Sequence, residues 1–389
     1  MAVAPALLFT RSPESYLDNL LMRICVALQL GDALHEAADG SYQQVAAYLE
    51  SHPTVAPLRP AIHPQGSMRL GTTVMPCFGE EYDLDFVCEL ARDARAFAKP
   101  VDALRLIDAA LRENPRYAPM LQTKNRCIRL KYARKFHLDV LPACKDAERG
   151  GTCILVPDRE LSAWVPSNPR GYADWFDGRA RQLLAPYAMD KEQKLPEPER
   201  AEEKSPLKLA VQLMKRNRDV RARGVARPQP VSIVLTTLAA LSYRGERSVS
   251  GAMNSIIRNI CEMIPPRSTR ANRLVVLNPT NKNEDLSERW SRDGLAYQQF
   301  LDWAADFRSA WNALLALRGI DKVTRALETM FGEHIAHKAL QSQAADFGEA
   351  RERNAIGTTR GTGLIAAVGT GFVTPIPRHT FHGQKRQVR

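Results

Sequence analysis

The sequence predicts an α+β protein: a mixed β-sheet preceded by a long helix and followed by a helical second half. Three observations predict it. Residues 12 to 52 carry apolar side chains at helical spacing. Residues 60 to 165 switch to short alternating runs rich in β-formers, and residues 205 to 348 return to helical texture. A chain of 389 residues suits two domains better than one. The expected division is a core at 1–200 that includes the N-terminal helix, a helical domain at 201–350, and a flexible basic tail at 351–389.

The first helix opens at Ser12 as N-cap with Pro13 at the first helical position. Leu17, Leu20, Leu21, Ile24 and Leu28 form its apolar stripe, and Gly31 is a point of interruption before "SYQQVAAYLES" continues to Pro53. "YDLDFVCEL", "CIRLKY" and "FHLDVLPA" read as strands, with a helix over about 100 to 113 between the first two. Ala133-Arg134-Lys135 is short enough to close the last two as a hairpin. Residues 165 to 205 read as irregular, ending in the polar connection "DKEQKLPEPERAEEK". Ser205 and Pro206 then start a new helix as Ser12 and Pro13 do. Residues 356 to 389, rich in Gly, Thr and Pro, read as a tail.

Composition narrows the class. No run of eighteen apolar residues exists, so no membrane span is expected, and the N-terminus lacks the basic start of a secretory signal. The seven cysteines are scattered without a CxxC pair or a Cys/His cluster, which supports neither a disulfide framework nor a structural zinc site. A cytoplasmic location follows as the expectation. The net charge of +11 suits a phosphate-rich partner, nucleotide or nucleic acid.

Chemistry concentrates in the strand region. Asp83 and Asp85 lie one residue apart in "EYDLDFVCEL", so in a strand they share a face while Leu84, Phe86 and Cys88 point into a core. Two adjacent carboxylates repel, and desolvation adds to the cost; water, a basic partner or a divalent cation relieves it. An exposed strand end with solvated acids fits this stretch equally well. Asp139 in "FHLDVLPA" shares a face with His137 and supplies a third carboxylate from another strand. Mg²⁺, with Mn²⁺ as the alternative, takes such oxygen ligands, and a pair of ions about 3.5–4 Å apart serves phosphoryl transfer. Gly66-Ser67, upstream in "HPQGSMRLGTTVMP", offers close backbone approach and a hydroxyl donor for a triphosphate.

Together, "GS…DLD…LDV" resembles the signature of the polymerase-β-like nucleotidyltransferases. The fuller "QGSMRLGTTVMPCFGEEYDLDFVCEL", with "VPDRELSAWVPSNPRGYADWF", "SPLKLAVQLMKRNRD" and "NPTNKNEDLSERW", is similar to the bacterial cGAS/DncV-like nucleotidyltransferases (CD-NTases) of anti-phage CBASS defence. The resemblance covers roughly residues 12 to 345. It implies a nucleotidyltransferase core, a long spine helix and a C-terminal helical domain closing the nucleotide cleft. It implies Gly66 and Ser67 on the donor triphosphate, and Asp83, Asp85 and Asp139 as catalytic metal ligands, with Asp139 nearest the attacking hydroxyl. The activity implied is template-independent, Mg²⁺-dependent synthesis of a cyclic di- or trinucleotide from NTPs, ATP among them. A linear oligonucleotide synthetase or tRNA nucleotidyltransferase is the rival enzyme, and a catalytically silent nucleic-acid binder is the rival of another class. Activators implied are a HORMA-type protein or a nucleic acid.

On the helix after Ser205, Lys208 and Lys215 lie seven residues apart on nearly one face, with Gln212 between them. One reading puts Lys208 on the triphosphate and ranks it ahead of Lys215; the other is a solvated basic face. Ser232, after Pro230, sits where a helix begins, either as a phosphate contact or as a simple N-cap. Asp285 or Ser287 is expected to cap the helix after Asn278-Pro279. Trp164, Tyr172 and Trp175 are candidates for base stacking or for core packing. His63 reads as a loop residue without a role. The tail reads as either disordered or a docking segment for a partner.

Overall fold

The computed structural model describes residues 13–77, 81–132, 136–181, 199–224 and 227–352, together with short strands at 356–359, 365–367 and 373–375. Ser12, the hairpin turn 133–135, most of the polar connection and most of the tail lie outside the described residues.

The long first helix is broken. α1 (Pro13–Ala27) and α2 (Asp32–Ser51) are separated at Leu28–Gly31, and Gly31 precedes α2 in an extended conformation. The break divides two cores. Leu17, Leu20, Leu21, Ile24 and Leu28 pack with the C-terminal helices, whereas Ala38, Tyr42, Val45 and Leu49 pack under the sheet.

β1 (Ala61–Gln65) leads into α3 (Gly66–Arg69), then β2 (Tyr82–Leu90), α4 (Val101–Arg112), β3 (Leu121–Thr123), β4 (Ile128–Tyr132), β5 (Phe136–Lys145), β6 (Ile154–Asp158) and β7 (Ala163–Ser167). The sheet is mixed, in the order β1-β2-β5-β4-β3, with β6 paired to the end of β5 and to β7. Among the described strands of this sheet only β2 and β5 run parallel; β4 and β5 form the expected antiparallel hairpin pair. Tyr82, Leu84, Phe86, Cys88 and Leu90 alternate into one core with Phe136, Leu138 and Val140, which leaves the opposite face of both strands to the carboxylates. His63, expected in a loop, lies on β1 opposite Val87.

Two longer stretches also differ from expectation. The stretch after Val165, expected irregular, holds the end of β7 and α5 (Pro169–Ala180). Asn168 caps this helix, accepting from the Gly171 amide at 3.1 Å, and Pro169 takes the first position. Tyr172, Ala173, Phe176 and Ala180 give it a buried stripe. In the stretch expected to be a flexible tail, β10 (Ile356–Thr359) pairs antiparallel with β11 (Ile365–Ala367) and β12 (Val373–Pro375).

The second half contains α6 (Pro206–Arg221), α7 (Ser232–Ser242), α8 (Val249–Met263), the hairpin β8 (Leu277–Asn278) and β9 (Asn281–Asp285), and α9 (Arg289–Arg292). α10 (Gly294–Ala316), α11 (Ile320–Phe331) and α12 (Glu333–Glu352) follow. Ser205 caps α6 through the Lys208 amide as expected. Asp285 and Ser287 do not cap α9; they bond each other, the Ser287 amide and hydroxyl donating to Asp285 Oδ1 at 2.8 and 2.6 Å. The buried Arg23 fastens α1 to α12: its Nη1 donates to Ser342 Oγ at 2.8 Å and its Nη2 pairs with Asp346 at 2.7 Å.

Candidate active site

The parallel register of β2 and β5 sets Asp85 beside Asp139 and Asp83 beside His137. β4 on the far side of β5 sets Arg129 opposite Asp139. One row across three strands therefore reads Asp85, Asp139, Arg129. The Arg129 guanidinium grips Asp139 with both prongs, Nε to Oδ1 and Nη2 to Oδ2, each at 2.8 Å. The same Nη2 lies 3.1 Å from Asp83 Oδ1. Asp139 is buried, while Asp83 is 53% exposed and opens to solvent.

Gly66 stands directly against this row. Gln65 pairs with Asp85 across β1 and β2, and the next residue turns with φ +65°. A Cβ on Gly66 would lie 2.5 Å from Asp85 Oδ2, so both the conformation and the contact require glycine. Ser67 follows in α3. Its carbonyl accepts from the Thr72 amide at 2.9 Å, and the Thr73 hydroxyl donates to Ser67 Oγ at 3.4 Å.

α6 holds the loop that follows. Lys215 Nζ donates to the Thr72 carbonyl at 3.2 Å and to Thr72 Oγ1 at 3.1 Å, and Gln212 Nε2 donates to the Thr73 carbonyl at 2.6 Å. Arg216 Nη1 reaches the Met75 carbonyl. Leu209, Leu213 and Met214 pack inward as expected, but Lys208, Gln212 and Lys215 are buried too, which overturns the solvated basic face. Lys208 Nζ is neutralised by Glu199, at 2.8 and 2.9 Å, and stands 3.3 Å from where a Gly71 Cβ would be. Ser232 is the first residue of α7, not its N-cap, and its hydroxyl accepts from Arg218 Nη1 at 2.7 Å.

The electrostatics follow from burial and crowding. Burial, then Asp139 and Asp83, push the Asp85 carboxyl up to about 7 against the pull of Arg129 and Lys215. Burial also raises Asp83, against Arg129. Lys215 is lowered to about 7, by burial first and then by Arg218, with Asp85 among the groups opposing the shift. The Cys127 thiol, beside Asp139 and Asp85, is raised by burial and then by those two charges.

A divalent cation fits the donor chemistry. The three side chains offer only carboxylate oxygens, Gly66 leaves room at Asp85 Oδ2, and Asp85 has no ion pair among the described residues. Among those residues, no three His, Cys, Asp or Glu side chains are gathered as a finished ligand set. Arg129 occupies the oxygens of Asp139 and one of Asp83 instead.

The chain matches the Second Messenger Oligonucleotide or Dinucleotide Synthetase (SMODS) family over residues 14–179, which includes β1 to β7 and all three carboxylates. It is 30% identical to a c-di-GMP synthase of Roseivirga ehrenbergii over 383 residues, 97% of this chain and all of that protein. It belongs to the bacterial CD-NTases. The GTP complex of the CD-NTase CdnG from Bradyrhizobium diazoefficiens superposes with a TM-score of 0.69 at 26% identity, covering 86% of this chain and 99% of that one. CdnC of E. coli MS115-1, in a complex with HORMA-deltaN, shares the fold at a TM-score of 0.56 and 11% identity, over 78% and 93% of the two chains.

As a CD-NTase, this protein is a nucleotidyltransferase with a polymerase-β-like core. The sequence missed Arg129 and Cys127 at the site. A signal for Arg129 existed: a three-residue hairpin closing Tyr132 on Phe136 fixes Arg129 opposite Asp139. Tyr172 is core, its hydroxyl 2.8 Å from Thr237 Oγ1, and Trp175 packs on it. Trp164 packs on Phe97 at the edge of the sheet core. The "NPTNKNED" stretch is the β8–β9 hairpin, joined to the catalytic half where Ser167 Oγ donates to Glu284 at 2.9 Å.

Proposed function

We propose that this CD-NTase makes a cyclic dinucleotide second messenger from NTPs, with GTP as the first substrate to test, in anti-phage defence. The observation that carries the reading is the row of Asp85 and Asp139 on parallel strands with Gly66 closed against Asp85. The named activity of the Roseivirga relative and the GTP bound to CdnG support the choice of guanine nucleotide.

In this reading Asp83, Asp85 and Asp139 hold Mg²⁺ or Mn²⁺, which activates the attacking hydroxyl and neutralises charge on the phosphates when bound. Ser67 and the turn at Gly66 receive the donor triphosphate. Lys208 and Lys215 on α6 bracket the loop behind that turn, with Arg218 and Ser232 beyond. Asp139 orients the ribose hydroxyl of the acceptor. The hydroxyl oxygen forms a bond to the α-phosphorus as the α–β anhydride breaks, pyrophosphate leaves, and the hydroxyl proton passes to solvent. A second round closes the ring. A HORMA-type activator and a nucleic-acid activator remain proposals to be assayed with the purified chain.

The test is incubation with each labelled NTP, singly and in pairs, in Mg²⁺ or Mn²⁺. The expected product from GTP resists phosphatase, is cut by phosphodiesterase and has the mass of a cyclic dinucleotide. A phosphatase-sensitive linear product, or ATP as the required base, overturns the corresponding part.

A further inference from the structure

The grip of Arg129 on Asp139 has more reach than a structural ion pair needs. Arg129 comes from the strand next to Asp139, so backbone pairing alone fixes both ends. Two of its donors take both oxygens of Asp139, and one of them also faces Asp83. These are oxygens that a divalent cation on the carboxylates has to use. A guanidinium and a divalent cation compete for them, because the fork takes about half of the carboxylate's roughly four lone-pair directions and sets its own positive charge against the ion.

We infer that Arg129 is a built-in counter-ion that exchanges with the divalent cation. It neutralises Asp139 and Asp83 until metal arrives, and then gives up at least one prong. The Arg129 side chain is 21% exposed and its Nη2 faces Asp83, itself 53% exposed, so it has a way out that a fully buried arginine lacks. Asp85, outside its grip, is the carboxylate that receives the incoming ion first. Arg129 is thus a positioning residue whose departure is coupled to metal binding. The inference rests on the reading of Asp83, Asp85 and Asp139 as metal ligands.

Two measurements on the full chain test it. In the first, Mn²⁺ binding without nucleotide is followed by electron paramagnetic resonance for wild type, Arg129→Lys and Arg129→Gln. Exchange costs at least one charge-assisted hydrogen bond, so both variants are expected to bind Mn²⁺ on the order of tenfold more tightly. Lysine keeps the charge but cannot form the fork. Arg129→Lys binding Mn²⁺ as wild type does, while Arg129→Gln binds more tightly, makes Arg129 a static charge and overturns the exchange. The second measurement needs only wild type. Phenylglyoxal labels free guanidinium groups, and mass spectrometry reads Arg129 directly. Labelling of Arg129 is expected to rise at least severalfold on moving from EDTA to Mn²⁺, and unchanged or reduced labelling overturns the exchange. No Mn²⁺ binding by wild type overturns the metal assignment itself, a failure distinct from Mn²⁺ binding with Arg129 still protected.

Discussion

Gly66 and Asp85 are built against each other: a Cβ on the one would lie 2.5 Å from a carboxylate oxygen of the other. Gly66→Ala meets this contact and also a φ of +65°, where an L side chain costs about 1–2 kcal/mol. The expected result is a loss of about 1–3 kcal/mol in stability and a larger loss of nucleotide binding, because the turn can relieve the clash only by moving away from Asp85. Urea unfolding and nucleotide titration measure the two effects. Wild-type nucleotide affinity in a destabilised variant contradicts this account of the turn.

Asp83→Asn combined with Asp85→Asn is expected to abolish product formation in Mg²⁺ or Mn²⁺ while the fold persists. Removing two crowded charges should also raise the melting temperature in EDTA. Product formation at the wild-type rate would remove the carboxylates from the chemistry.

Stability in EDTA is expected to depend on pH in a specific way. The folded-state pKa of Asp85 is raised from 3.8 to about 7, so its favourable contribution is complete below 3.8 and is lost as pH climbs to 7. The folded-state pKa of Lys215 is lowered from 10.5 to about 7, so its penalty is absent above 10.5, grows as pH falls, and is complete below 7. The two groups together give stability a minimum near neutrality. Against Asp85→Asn, wild type should lose on the order of 2–4 kcal/mol between pH 4 and 7. Denaturant midpoints across that range decide it; parallel curves for the two proteins refute the shift.

Lys215→Met is expected to weaken NTP binding roughly ten- to a hundredfold, through loss of the Thr72 contacts that hold the loop behind Ser67. Lys208→Met should cost less than about fivefold, because the half-exposed Glu199 already neutralises that ammonium. Titration of both variants with a non-hydrolysable GTP gives the ranking. A larger loss at Lys208 restores the order that the sequence alone favoured.

Sequence reasoning ended where contacts between distant segments begin. Strands were legible because alternation separates Leu84 and Phe86 from Asp83 and Asp85, and periodicity alone placed Asp139 on the matching face. The break at Gly31 and the Ser205 cap were legible from residue type. α5 was not, because Asn168-Pro169 read as turn chemistry and masked the spacing of Tyr172, Ala173 and Phe176. Burial of Lys208 and Lys215 was hidden for a different reason. Their acceptors, Glu199 and the Thr72 carbonyl, come from other segments, and a helix's own pattern does not reveal what covers its polar face. Arg129 fell between the two cases: the hairpin register contained it, but only if register, and not strand identity, was followed.

The division of the first helix bears on how the chain is made. The sheet core draws its buried residues from Ala38 to Cys144, so it is complete soon after that stretch leaves the ribosome. α1 has no such early partner. Arg23 finds Ser342 and Asp346 more than three hundred positions downstream. At roughly 5–20 residues per second, α1 waits on the order of tens of seconds for α12 to emerge. Through that interval α6 also lacks α11, whose Phe331 carbonyl Arg216 requires, and so cannot be fully seated on the loop behind Ser67. A nascent chain therefore completes the strands that carry its carboxylates before it completes the helical packing that sets α6 on the Thr72–Thr73 loop.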